Sequence, residues 1–214
     1  MRAQQYLEQV QVSDLRPTQM TVGVAEVALK RQQWAQLKLK ERSKLLLNHW
    51  FPAVKGPKGL FFIVDHHHLG LALVQEKVKS VWVMQQADFS MLEPDMFWRL
   101  MEFQHWAHPY DEKGRRRKYS DIPQALEQLK DDPYRSLAGE VRKAGGYAKE
   151  SAPYTEFLWA DFFRPLFKKT DLRSSGGQGL PESVVTEAIA LARNPKAQSL
   201  PGWSGVSSSH HKSL

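Results

Sequence analysis

Phe61-Phe62-Ile63-Val64-Asp65-His66-His67-His68-Leu69-Gly70-Leu71-Ala72-Leu73 reads as an apolar strand that stops at an acid and three imidazoles, then resumes as a helix. Leu69, Ala72 and Leu73 fall on one helical face, which predicts a helix from His66 to about Glu76. A chain arranged this way aims Asp65 and the histidines past the end of a strand, where open sheets keep their ligands.

Upstream, Pro52-Ala53-Val54, the Gly/Pro-rich turn 55–59 and the run Leu60 to Val64 predict a β-hairpin. Val78 to Met84 alternates as a further strand. From Val24 to about Trp50, strong helix formers carry Val27, Trp34, Leu37 and Leu45, which predicts two helices or one interrupted helix. The exposed face of that segment carries Lys30, Arg31, Lys38, Lys40, Arg42 and Lys44. Val10, Val12 and Leu15 form a short strand, and Arg16-Pro17-Thr18-Gln19 begins a loop closed by Gly23. The order strand, loop, helices, hairpin, helix, strand is an α+β core over residues 8–90.

Beyond Asp88 strand signals vanish, and prolines punctuate helices expected at 94–107, 121–130, 135–146, 154–168 and 181–194. Residues 91–196 are therefore expected to form a helical cap packed on the core, with a flexible loop at 174–179 and a flexible tail over 197–214. Aromatic residues such as Trp98, Phe103, Trp106, Phe157, Trp159, Phe163 and Phe167 sit in helical segments, where core packing is the expectation.

The chain has 214 residues, 42% hydrophobic and 25% charged, which is the range of an ordinary globular protein. Thirty Lys+Arg against 23 Asp+Glu give a formal charge of +7, which favours phosphate-bearing partners without selecting among DNA, RNA and nucleotides. Cysteine is absent, so disulfides, thiolate metal sites and cysteine nucleophiles are excluded. No window approaches the roughly 18–20 apolar residues of a membrane span, and the N-terminal residues lack an apolar signal core, so a cytoplasmic location without membrane contact is expected. The sequence leaves the oligomeric state open.

Several readings of the turn stand side by side, and one of them makes the three histidines a purely structural hydrogen-bonded cluster. Asp65 can act as a helix N-cap, accepting the amides of His67 and His68. Asp65 can instead serve as a general base or orient a neighbouring imidazole. Two of the three histidines with Asp65, or with a residue from 108–111, also have the N/O chemistry for Mg²⁺, Mn²⁺ or Zn²⁺, although successive residues diverge by about 100° on a helix. A helix N-terminus at the turn would in addition bind an anion through its amides. The dense basic run Gly114-Arg115-Arg116-Arg117-Lys118 follows His108-Pro109-Tyr110-Asp111 closely enough to share one loop.

The order of elements and the run Asp65-His66-His67-His68 resemble the ParB/sulfiredoxin superfamily, whose marker is a strand entering an Asp-Gly-His-His-Arg-like turn and a helix. Leu15-Arg16-Pro17-Thr18-Gln19 with Gly23, and His108-Pro109-Tyr110-Asp111 with Gly114-Arg115-Arg116, are similar to the ParB-like nuclease branch. The superfamily likeness covers about residues 8–88 and the branch likeness 8–170. Asp65, His67 and His68 match the acid and the two histidines, His66 stands where Gly is usual, and Leu69 stands where Arg is usual. Sulfiredoxin chemistry needs a cysteine and is excluded, and residues 90–214 carry no helix-turn-helix signal of the chromosome-partitioning members.

The resemblance implies a small mixed sheet with a helical C-terminal extension, acting as a nuclease or phosphodiesterase on a phosphate-containing substrate, DNA or a nucleotide among them. On that reading Asp65, His67 and His68 are catalytic. Asp65 and His68 transfer protons, and His67 positions phosphate or a divalent metal. Arg16, Gln19, His66, His108, Asp111, Arg115 and Arg116 are the expected substrate contacts, with the arginines supplying the guanidinium that Leu69 lacks. The alternatives are a nucleotide-dependent small-molecule phosphotransferase like the superfamily's free-serine kinases, and a non-catalytic nucleic-acid-binding module.

Overall fold

Alternation along the strands fixes which side chains enter which layer. In a computed structural model that describes residues 6–173 and 179–205, strands β1 (Leu7–Gln11), β2 (Leu15–Arg16), β4 (Phe51–Lys55), β5 (Phe61–Ile63) and β6 (Ser80–Asp88) form one mixed sheet in the order β1-β6-β4-β5-β2. The expected hairpin is present: β4 pairs antiparallel with β5, Val54 opposite Phe62. β6 runs parallel to β4, and β2 runs parallel to β5.

Phe61 and Ile63 point to one face of the sheet and join Phe51, Ala53 and Val83 against helices α1 (Val24–Gln36) and α3 (His67–Gln75). Phe62 points to the other face, where it meets Val54 and the buried Phe97 and Met101 of α4 (Pro94–Phe103). A second helix, α2 (Leu39–Asn48), follows α1, so the segment 24–50 is two helices. Each fully buried large side chain in these layers contributes about 1.5–3 kcal/mol, and together they hold the end of β5 in place.

The helix expected at 121–130 does not form. Residues 119–121 and 126–128 are isolated 3₁₀ turns, and Lys130–Asp131 is a strand, β7, paired parallel with β3 (Thr21–Val22). Tertiary packing overrides the local preference here. Leu126 is buried against α3 so closely that a Cβ on Gly70 would lie 3.0 Å from its Cδ1. The backbone amides of Lys130 and Asp132 donate to Met20 and Val22, and the Asp131 carboxylate accepts the Val24 amide at the start of α1.

The chain divides into two compact units, Met1–Asp132 and Pro133–Leu214. Residues 91–132, expected in the helical cap, thus belong to the unit of the sheet. The second unit contains α5 (Pro133–Lys143), α6 (Thr155–Phe163) and α7 (Glu182–Arg193) around the buried Trp159. Tyr147 stacks on Trp159 at 4.2 Å between ring centroids, and the Trp159 indole donates to the Pro201 carbonyl. Most helical aromatics are interior as expected, but Phe103 is 77% exposed. Residues 174–178 of the expected loop and 206–214 of the expected tail lie outside the described residues, whereas Ala197, Leu200 and Trp203 of that tail pack into the core of the second unit. Among the described residues no helix is long and apolar enough to cross a membrane.

Candidate functional site

The turn that leaves β5 is built around a strained residue. His66 adopts a left-handed backbone conformation at φ 65°, and the helix starts one residue later, at His67. Position 66 is where the superfamily pattern has Gly, the residue that reaches this region without Cβ strain. Asp65 does not cap the helix through the amides of His67 and His68, because its Oδ1 accepts the His66 amide at 2.6 Å and its side chain is 73% exposed. The left-handed turn places the carboxylate outward, so His66 is the capping position.

His67 and His68 turn inward and are 3% and 8% exposed. The Nε2 of His67 accepts the Thr18 amide at 3.1 Å, and the Nε2 of His68 accepts the Gly23 amide at 3.0 Å. An Nε2 that accepts an amide leaves the ring proton on Nδ1, and Glu26 Oε2 also lies 3.7 Å from the Nε2 of His68. Burial pushes His67 down to about 3, far from any role as a proton donor near neutrality. The Thr18 hydroxyl donates to the Ile63 carbonyl, and Gln19 donates to the Thr21 carbonyl. The loop 17–23 is consequently fixed to the end of β5 and the first turn of α3.

His66 is the histidine that reaches solvent, with 32% of its side chain exposed and its Nε2 3.8 Å from Asp65 Oδ2. Burial lowers its pKa, opposed by the Asp65 charge and reinforced by His49 and Lys30. The ring lies edge-on to Phe51 and 6.3 Å from the His49 ring, between centroids.

His108 is brought to the same region, since its amide donates to the Thr18 carbonyl and it forms a β-bridge with Gln19. Its ring stacks on Tyr110. The expected arginines are directed elsewhere. Arg16 folds back onto the carbonyls of Ser13 and Leu15. Arg116 forms a bidentate pair with Glu102, whose carboxylate also accepts the Tyr119 hydroxyl. Burial raises the Glu102 carboxyl, but these hydrogen bonds outweigh it and hold the group below its ordinary range. Asp111 caps its own loop by accepting the amides of Lys113 and Arg115. Glu102 and Tyr119 carried no sequence signal. Thr18 and Gly23 lay within the quoted motif, but as loop residues and not as partners of the histidines.

The residues proposed for a divalent ion do not fit one. The Nε2 lone pairs of His67 and His68 are taken by backbone amides, and Asp65 faces outward, so the three donors do not converge. Among the described residues no group of three or more His, Asp or Glu is placed to hold a metal ion.

A mixed sheet whose hairpin exits into an acid–imidazole turn and a short helix makes this unit an α+β domain. The family described as Putative ParB-like nuclease matches residues 8–165, and the chain belongs to that family. It is also similar to the crystal structure of protein Atu1540 from Agrobacterium tumefaciens, at 42% identity and a TM-score of 0.86, covering 95% of this chain and 100% of that one. No curated relative matches the chain.

Proposed function

We propose that the chain binds a phosphate-containing substrate at the exit of β5 and hydrolyses a phosphodiester there, with Asp65 and His66 handling the proton. The observation that carries this reading is the contrast within the histidine run: His67 and His68 are consumed by backbone amides, whereas His66 faces solvent beside Asp65. Family membership supplies the reaction class. Burial lowers the pKa of His66 and so favours its neutral imidazole, the form that accepts a proton. Water loses a proton to His66 as its oxygen bonds to phosphorus, the bond to the leaving oxygen breaks, and that oxygen takes a proton from solvent.

The first amides of α3 have no acceptor within the helix and, with the positive end of its dipole, suit the non-bridging oxygens. His67 and His68 act as positioning residues that keep the loop 17–23 against this helix end. The proposed carriers of the reaction thus shift from His67 and His68 to His66.

The test is hydrolysis of a chromogenic phosphodiester and of single-stranded oligonucleotides by the wild type, Asp65→Asn and His66→Asn, each with and without added Mg²⁺ or Mn²⁺. Asn tolerates the left-handed backbone, so the second variant removes the imidazole without the strain of a branched residue. Cleavage lost in both variants with the fold intact supports the reading. Cleavage untouched in both, or absent from the wild type under every condition, overturns it. The burial of His67 and His68 favours one further reading, a non-catalytic holder of nucleic acid, which the last outcome together with salt-sensitive retention on nucleic acid would indicate.

A further inference from the structure

The loop held by His67 and His68 leads to a concave feature of the same compact unit. A cleft of about 430 Å³ opens beside Met20 and the 111–117 loop. Lys113, Arg115, Arg117 and Lys130 face it, against the acids Asp111, Glu112 and Asp121. Arg117 is occupied: its Nε lies 3.5 Å from Asp121 Oδ2 and its Nη1 4.0 Å from Asp111 Oδ2. The other oxygen of Asp111 accepts the amides of Lys113 and Arg115. Among the described residues Lys113, Arg115 and Lys130 form no ion pair of 4.0 Å or less, although the charge of Arg115 helps to hold the Asp111 carboxyl below its ordinary range. Four cations against three acids give the lining a formal charge of +1, and the three cations outside any close ion pair are placed to receive an anion.

The position of the cleft is set by the same loop as the turn. His67 holds the Thr18 amide, and Met20, two residues on, lines the cleft while its carbonyl accepts the Lys130 amide. Two residues of chain span at most about 7 Å. The β3–β7 pairing places Lys130 directly opposite Thr21. The backbone that lines the cleft at Met20 therefore lies within about 7 Å, along the chain, of the residue whose amide His67 holds.

We infer that this cleft is a phosphate subsite, in which Lys113, Arg115 and Lys130 receive a phosphate-ester group of a substrate that also reaches the β5 exit. It rests on the reading of a phosphate-containing substrate and adds where a second phosphate of that substrate is held. Lys113 and Lys130 contribute point charges, and Arg115 offers a planar fork that matches two phosphate oxygens. The ester group belongs either to a nucleotide or to the backbone of a nucleic-acid strand.

The experiment compares the wild type, Lys113→Ala/Arg115→Ala/Lys130→Ala and the remote control Lys40→Ala on α2. Binding of a fluorescent single-stranded oligonucleotide is followed by anisotropy across a salt series, and binding of a 5′-mononucleotide and of inorganic phosphate by calorimetry. The triple variant is expected to bind the oligonucleotide at least roughly tenfold more weakly, with the slope of log K against log salt reduced by about two. Weakening of mononucleotide and phosphate as well identifies a small-ligand phosphate as the source, whereas weakening of the oligonucleotide alone identifies a strand. The three side chains are exposed, and the far-ultraviolet circular dichroism and Tm of the variant report whether its fold is kept. Charge reversal at Lys113 alone is the second variant and is expected to weaken binding in the same direction. Unchanged affinity and salt slope in both variants, or no binding by the wild type, overturns the inference. Cleavage lost in Asp65→Asn alongside unchanged binding in the triple variant would remove the cleft and leave the proposed reaction standing. The converse pattern would remove the reaction and leave the cleft.

Discussion

The imidazole of His67 accepts the backbone amide of Thr18 at 3.1 Å, joining two positions 49 residues apart, and the Thr18 hydroxyl returns to Ile63 at the end of β5. A neutral ring in this position is a structural acceptor. Its protonation would turn the acceptor into a donor facing another donor, in a place closed to water.

That relationship sets an acid limit on stability. The folded-state pKa of His67, about 3, lies below the unfolded value of 6.5, so the unfolded chain binds the additional proton. Stability supplied by the neutral ring is complete above about pH 6.5 and is lost as pH falls from there toward 3, at about 1.4 kcal/mol per pH unit. Urea titrations at pH 6.5 and 5.0 are expected to show the wild type losing about 2 kcal/mol more than His67→Gln over that interval. Equal losses would contradict the assignment.

His68 performs the same service for Gly23, at 3.0 Å. Removing the ring in His68→Ala leaves a buried amide without its acceptor and a cavity beside it, at a cost of about 2–4 kcal/mol. Hydrogen exchange at the Gly23 amide is expected to accelerate well beyond that of amides in β4. Protection unchanged at Gly23 would show that another group holds the loop.

At position 66 the left-handed backbone makes substitution order counterintuitive. His66→Gly relieves a strain of about 1–2 kcal/mol and loses a partly buried ring, so its stability is expected to stay within about 1 kcal/mol of the wild type. His66→Val, with a β-branched side chain in the same conformation, is expected to fall well below both in chemical denaturation. Reversal of that order would mean that packing of the ring against Phe51 outweighs the backbone.

Gly56 has an ordinary φ of −108°, yet a Cβ there would lie 2.6 Å from the Phe62 ring and 2.8 Å from Phe97. Gly56→Ala is expected to cost about 1–3 kcal/mol through overpacking between the sheet and α4. Phe62→Leu in that background should recover part of the loss in thermal unfolding, since it removes the nearest atoms. Additive losses would place the strain elsewhere.

The central strands were legible because they carry strong local signals, whereas the strand expected through Val10, Val12 and Leu15 is two strands parted by a 3₁₀ turn at Val12–Asp14. The run Leu60–Val64 after a Gly/Pro turn specified the hairpin, and the break from period two to a helical period at Asp65 marked the start of α3. β7 was not legible, since Lys130 and Asp131 have no strand character of their own and owe their conformation to pairing with β3. The site was legible in location and not in roles. Three adjacent histidines look equivalent in a sequence, and the left-handed turn at His66 sends one ring outward and two inward. Arg115 and Arg116 are also indistinguishable by composition, yet Glu102 claims the second and leaves the first facing a cleft.

The parallel pair of β3 and β7 also decides where this family domain can be cut. Thr21 and Val22 are almost wholly buried, and the strand that covers their edge arrives more than a hundred residues later in the chain. Excision just after β6, where the main sheet is already complete, would strip that edge and free the very loop that the histidines organise. The compact unit of the sheet extends through Asp132, and shorter fragments engineered for display or fusion inherit an unzipped flank.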